Sequence, residues 1–209
     1  QFLTATPAIG NIDEDSELEI VIGSMSSSGK VYALNHDGTV VDGFPIQLNE
    51  KIWVGASLVD LDNDGLDEII VGTDSGNLYV INNDGTIQSG FPIETGNKIR
   101  SAPSTGVFND GTEIMFFFGN DAGDFYGVHS NGEIRFVLET GEMIRSSSSL
   151  IEYSGNTYIF FTTENNTIHA VDINGIYFPG WPINTGQELK SSCTFSDLDG
   201  NETPEIIIA

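Results

Sequence analysis

Asp60, Asp62 and Asp64 stand at alternate positions, followed by Gly65 and, at the ninth place of the run, by Glu68. Carboxylates spaced this way on a turning backbone aim several oxygens at one point. That is what a hard divalent cation needs: calcium takes about six to eight oxygen ligands from carboxylates and carbonyls. The ligand set offered here is Asp60, Asp62, Asp64, the carbonyl of Leu66 and Glu68, with Gly65 free to make the sharp turn. An EF-hand would need a bidentate glutamate at the twelfth position, which is Val71, and helices on both sides. The chain instead continues as Ile69-Ile70-Val71-Gly72, a short apolar run that reads as a buried strand. The loop therefore joins two strands.

The loop recurs. Residues 11–19 supply Asn11, Asp13, Asp15, Glu17 and Glu19 at the same five places, and residues 197–205 supply Asp197, Asp199, Asn201, Thr203 and Glu205. Each feeds an apolar run, Ile20-Val21-Ile22 in the first case and Ile206-Ile207-Ile208 in the last. The copies are weaker than the middle one. In the first, Asn11 replaces the opening Asp and Ser16 replaces the glycine, so the turn costs more. In the last, Asn201 replaces an Asp and the glycine, Gly200, is displaced from the sixth place to the fourth. The expected order of occupancy is the 60–68 loop first, then 197–205 and 11–19. The corresponding segments 107–113 and 152–157 hold few ligands and are expected to bind no metal.

These loops sit inside a larger period. Gly-Phe-Pro-Ile occurs at 43–46 and 90–93 and returns as Gly180-Trp181-Pro182-Ile183. The turn glycines Gly38, Gly85, Gly132 and Gly175, and the apolar residues Ile52, Ile99, Ile144 and Leu189, recur in step. The units run over about 2–52, 53–99, 100–144 and 145–190, with a partial fifth at 191–209. Each unit reads as four short strands. The first is small and polar (101–104, 146–149, 191–194), the second is the apolar run after the loop, the third carries an aromatic residue, and the fourth ends in Gly-Phe-Pro-Ile. Asp84-Gly85, Asn131-Gly132 and Asn174-Gly175 are hairpin signals because both residues tolerate positive φ. A period of this length with four strands per unit predicts an all-β fold, a β-propeller of four-stranded blades with four complete repeats and two strands of a fifth. A β-sandwich would leave the shared register of three acidic loops unexplained.

At this level of detail the chain resembles the FG-GAP or VCBS-type repeats, found in the propeller of integrin alpha subunits and in bacterial surface and secreted proteins. Asp60 to Glu68 is similar to that family's Asp-x-Asp-x-Asp-Gly-x-x-acid loop, with Glu in place of the commoner Asp at its end. The resemblance implies a calcium-binding propeller at the cell surface or outside it. Members of the family commonly have more blades. The fifth unit is therefore read as part of a larger propeller, as a half-built blade closed by another chain, or as one covered by residues 2–8. Its bare second strand invites strand addition.

Seven basic residues against 31 acidic ones give a net charge of −24. Nucleic acid is an unsuitable partner, since phosphate binding needs Lys and Arg, and anionic membrane surfaces are disfavoured in the same way. No signal peptide or membrane-spanning run is expected. Cys193 is the single cysteine, so no internal disulfide forms, and it reads as a small core residue. His36, His129 and His169 fall at different places in their units, with no register to bring them together. Phe44, Phe91 and Trp181 read as wedges between blades. Asn165 and Asn201 head N-glycosylation patterns.

The functional expectation is a non-catalytic, calcium-binding extracellular module for adhesion or for a protein or glycan ligand. Two alternatives stand beside it: a structural subunit that assembles through open blade edges, and a module of a polysaccharide-acting enzyme, for which seven cations leave little material to grip acidic sugars.

Overall fold

The computed structural model describes Leu3 and residues 5–208. Four antiparallel sheets of four strands succeed one another along the chain, and a two-stranded sheet comes after them. The first blade is β1 (Ala8–Gly10), β2 (Glu19–Gly23), β3 (Lys30–Leu34) and β4 (Ile46–Gln47); the second is β5 (Ser57–Val59), β6 (Glu68–Gly72), β7 (Asn77–Ile81) and β8 (Ile93–Glu94). The third is β9 (Ser104–Phe108), β10 (Glu113–Gly119), β11 (Asp124–His129) and β12 (Ile134–Glu139), and the fourth β13 (Ser149–Tyr153), β14 (Asn156–Thr163), β15 (Thr167–Val171) and β16 (Ile183–Asn184). β17 (Thr194–Ser196) and β18 (Glu205–Ile207) form the last pair. These are propeller blades, in an all-β chain. Among the described residues no helix is long and apolar enough to cross a membrane.

Burial follows the stacking. β6 is buried along its whole length, because blades cover it on both faces. β2 alternates buried and exposed residues, and the outward face of the first blade shows Ile9, Leu18, Ile20 and Val40 to solvent. The core therefore lies between blades: Ile52 and Val71 belong to the cluster joining the first two, and Phe117 and Phe161 to the cluster joining the third and fourth.

Two strand positions differ from the sequence reading. The first strand starts at the last residue of each small polar segment, at Ser104, Ser149 and Thr194, rather than spanning it. The upstream serines replace the backbone in the ladder. Ser101 Oγ donates to the Gly119 carbonyl at 3.0 Å and accepts from the Gly119 N–H at 2.8 Å, and Ser146 does the same with Thr162. The hydroxyls that open the inner strands then reach the next blade: Ser104 donates to the Ser148 carbonyl and Ser149 to the Cys193 carbonyl, both at 2.6 Å, and Ser57 to the Pro103 carbonyl. The fourth strand begins, rather than ends, at the isoleucine of Gly-Phe-Pro-Ile, since proline has no N–H for the ladder. In the third blade, which lacks that motif, β12 is a six-residue strand.

The motif's glycine serves close approach. Gly90 lies against the Asn131 carbonyl of the next blade's hairpin, and a Cβ on Gly132 would stand 2.6 Å from the Gly90 carbonyl oxygen. Phe91 reaches across to Phe116 with ring centroids 6.2 Å apart. Among the described residues β18 pairs with β17 alone, and residue 8 opens β1 in the first blade. Of the segment 2–8 considered for closure, residues 2 and 4 lie outside the described residues, as do Gln1 and Ala209.

Candidate metal centre

The loop between β5 and β6 is wound by its own carboxylates. Asp60 accepts from the N–H groups of Asn63 at 2.7 Å and Gly65 at 2.9 Å, Asp62 from Asp64 at 3.2 Å, and Asp64 from Leu66 at 2.8 Å. Asn63 and Gly65 take left-handed backbone with φ of 62° and 93°. The result brings carboxylate oxygens of Asp60, Asp62 and Asp64 within 4.8 Å of one another. Glu68 opens β6 at 4% exposure, and one of its oxygens accepts from the Leu61 N–H at 2.8 Å. Burial pushes its carboxyl up to about 7, the Leu61 N–H pulls it down, and the charges of Asp62, Asp64 and Asp60 push it up further.

The loops at 11–19 and 197–205 repeat the pin from the terminal glutamate to the loop's second residue. Glu19 accepts from the Ile12 N–H and Glu205 from the Leu198 N–H, both at 2.7 Å. Here the glutamate joins the convergent set: Asp13, Asp15 and Glu19 in one loop, and Asp197, Asp199 and Glu205 in the other. Glu19 is fully buried, and its Oε1 has neither solvent nor a hydrogen-bond partner. A charged oxygen left alone in the interior is costly unless a cation or donor meets it. The donor set, all oxygen, fits calcium.

Other sequence candidates point elsewhere. The Asn11 side-chain amide donates to the Gly65 carbonyl at 2.6 Å, and the Asn11 N–H donates to Asp67 at 3.0 Å, so Asn11 ties the first loop to the second. Glu17 accepts from the Ser16 hydroxyl at 2.9 Å. Asn201 accepts from the Thr203 N–H at 2.7 Å, and the Thr203 hydroxyl meets the Tyr153 hydroxyl of the fourth blade at 3.2 Å. The first loop also has no left-handed residue, so Ser16 is spared the strain expected of it. With Asn11 turned to the neighbouring loop, no side chain at the opening position folds back over residues 14–16.

The third blade holds a site that the sequence reading missed. Glu113 opens β10 as Glu68 opens β6, but Arg135 Nη1 donates to it at 2.6 Å, the Asn109 amide at 2.7 Å, and His129 Nδ1 lies 3.6 Å away. Arg135 continues to Asn174 of the fourth blade with two bonds of 3.0 and 2.6 Å. The signal available in the sequence was a basic residue one period after Gln88 in a chain short of cations. In the fourth blade the segment closes as a two-residue turn at Ser154-Gly155, with φ of 50° and 75°.

Residues 11–71 match the FG-GAP-like repeat family model. No curated protein sequence matches the chain. Solved structures match it over nearly its whole length. The V. cholerae biofilm matrix protein Bap1 superposes with a TM-score of 0.74 at 19% identity, over 99% of this chain and 35% of that one. Sqt1 of Saccharomyces cerevisiae gives 0.73 at 17%, over 100% and 57%, and BBS1N, solved in complex with ARL6DN, 0.69 at 14%, over 98% and 62%. The chain thus spans about a third to just under two thirds of these proteins. Together the repeat match and the blade architecture define the class: a β-propeller that carries an FG-GAP-like repeat over residues 11–71.

Proposed function

We propose that this chain is a calcium-stabilised, non-catalytic stretch of propeller that works outside the cell by binding another macromolecule, protein or glycan. The observation that carries the metal is the unpartnered Glu19 Oε1, fully buried beside Asp13 and Asp15. It puts the first loop beside the second, which the ligand count ranks first. Asp60, Asp62 and Asp64 would hold the ion in the second loop, and Asp197, Asp199 and Glu205 in the fifth. Calcium there supplies charge neutralisation for a turn whose carboxylates repel one another.

The placement of the histidines and the cysteine among the described residues supports the non-catalytic reading. His36 is exposed, His129 leans on Glu113, and His169 stacks on Phe161 with centroids 4.6 Å apart. Burial pushes the Cys193 thiol up to about 11, far from a working thiolate. The placement outside the cell draws on a matrix protein among the structural neighbours, and the binding role on a neighbour solved with its partner.

Calorimetry with calcium tests the reading. Extracellular calcium sites bind at about 10⁻⁴ to 10⁻³ M, so a tenfold excess over Kd should stabilise the fold by about 1.4 kcal/mol. Asp62→Ala should lose much of this calcium-dependent gain in melting temperature. An equal gain in both proteins would overturn the assignment of the second loop.

Assembly is the second reading. Ile9, Ile20 and Val40 on one open face, and a cleft of about 190 Å³ lined by Tyr153, Tyr158, Trp181, Phe195 and Ile206 beside β18, are surfaces on which a further blade would pack. Light scattering should show oligomers that Ile20→Lys dissociates. A monomer in both proteins removes this reading.

A further inference from the structure

A polar cavity of about 320 Å³ lies where the second blade meets the third. Its lining includes Asp62, Glu68, Asp84, Asn82, Asn83, Gln88 and Ser130. Two of its amides are already engaged. The Gln88 amide donates to the Ser130 carbonyl at 3.0 Å, and the Asn82 amide to the Thr86 hydroxyl at 2.8 Å. The Asn83 amide and the Ser130 hydroxyl belong to the same lining, but acceptors outnumber them: the carbonyl oxygens of Asn82 and Gln88 and the three carboxylates. One of those is Glu68, 4% exposed, with its second oxygen unbonded among the described residues. Glu68 also stands outside the set of aspartates that converge in the loop, unlike Glu19 and Glu205 in theirs.

The third blade shows what such a place accepts. Glu113 is the counterpart of Glu68 as the first residue of its blade's second strand, and His129 and Arg135 stand one period on from Asn82 and Gln88. There the Arg135 guanidinium sits on Glu113 at 2.6 Å and bridges to the next blade. The second blade has the acid and the acceptors but no guanidinium of its own. We propose that the cavity between the second and third blades is a binding site for a guanidinium group, supplied by an arginine side chain of a protein partner. A planar, donor-only cation matches an acceptor-rich, triply acidic lining, and a fork of N–H donors can reach a carboxylate and an amide carbonyl together. The inference deepens the binding reading by naming the partner's chemistry; it shares Asp62 with the second loop's calcium set but rests on Glu68 and the Arg135 counterpart, not on a bound ion.

The test uses N-acetyl-arginine amide, its neutral analogue N-acetyl-citrulline amide, and a methyl glucoside, each followed through the side-chain amide signals of Asn82 and Gln88 by NMR. The arginine compound should shift both signals at millimolar concentration, and the citrulline compound should bind about tenfold more weakly or less. Gln88→Arg should place a tethered guanidinium in the cavity, raise the melting temperature and abolish the arginine-induced shifts. Equal shifts from arginine and citrulline compounds, shifts from the glucoside alone, or no shifts at tens of millimolar would each overturn the proposal. Repeating the titration in calcium and in chelator separates the two readings. Arginine binding without any calcium response would sink the metal sites and leave this one standing, and the reverse result would do the opposite.

Discussion

The second and third blades place a glutamate at the same point, the first residue of their second strands, and treat it differently. Glu68 lies beside a cavity and a loop of aspartates. Glu113 has Arg135, Asn109 and a nearby His129 around it. A buried acid at the head of a central strand needs a counter-charge or donors, and the chain meets that need in two ways: with a loop that can take a cation from solution, and with a guanidinium supplied by its own fourth strand. The difference teaches that the blades without an acidic loop are not merely eroded copies. The third supplies its counter-charge from its own chain, and that charge also ties it to the fourth blade through Asn174.

The largest expected effect breaks that device. Arg135→Gln removes two bonds to Asn174 and leaves the mostly buried Glu113 carboxylate without its ion pair. The cost should be about 3 kcal/mol, the low end for breaking a buried pair, and it should be the same in calcium and in chelator. Urea unfolding in both buffers measures it. A loss that calcium repairs would mean the third blade can also take the metal, and the comparison would fail.

Much of this was legible beforehand because it is local. The alternation of Asp60, Asp62 and Asp64 dictates the winding of their loop by hydrogen bonds two to five residues long, and the apolar runs after each loop are the strands themselves. Arg135 was not legible, because its partners Glu113 and Asn174 lie 22 and 39 residues away and depend on which blade faces which. The tie from Asn11 was not legible for a similar reason: its position in the motif suggested a ligand, and that its amide also crosses to Gly65 depends on which loops lie side by side. The two-residue fourth strands escaped because strand chemistry and proline placement conflict there, and the missing proline N–H prevailed.

A second prediction carries the comparison to the fourth blade. In the second blade the third-strand Tyr79 hydroxyl donates to Glu50 at 2.9 Å. The fourth blade has His169 at the corresponding place, bonded through Nδ1 to the Tyr177 hydroxyl at 2.7 Å, with Nε2 buried and unpartnered. Burial pushes the imidazole down to about 4, while the charge of Glu142 pulls it back up. The unfolded chain therefore binds this proton between about pH 6.5 and 4 while the folded one does not, so stability is lost as pH falls through that window and the loss levels off below it. The contribution is on the order of 2 kcal/mol. The difference in unfolding free energy between wild type and His169→Phe should change by that amount between pH 7 and pH 4. Parallel curves would show the imidazole to be solvated.

The smallest effect separates two loops that look alike. The 60–68 and 197–205 loops both need left-handed backbone at their fourth and sixth residues. The first fills them with Asn63 and Gly65, the second with Gly200 and Glu202, whose φ is 65°. The displaced glycine of the last loop has thus moved to the other left-handed position and left a glutamate at the one where Gly65 stands. A left-handed residue with a Cβ costs roughly 1–2 kcal/mol, and glycine returns part of that as unfolded-chain entropy. Glu202→Gly keeps the backbone N–H that donates to Asp197 at 2.9 Å and should stabilise the protein by about 0.5–1 kcal/mol, a rise of about 2–4 °C in Tm at most. Gly65→Ala is the reciprocal change. A Cβ there meets nothing within 4 Å, so any loss of stability reports backbone strain alone. If Glu202→Gly stabilises and Gly65→Ala destabilises by similar amounts, the two loops share one backbone and differ in how well their residues suit it. If Glu202→Gly lowers Tm, the last loop depends on its glutamate side chain, and the shared geometry is not what holds it in shape.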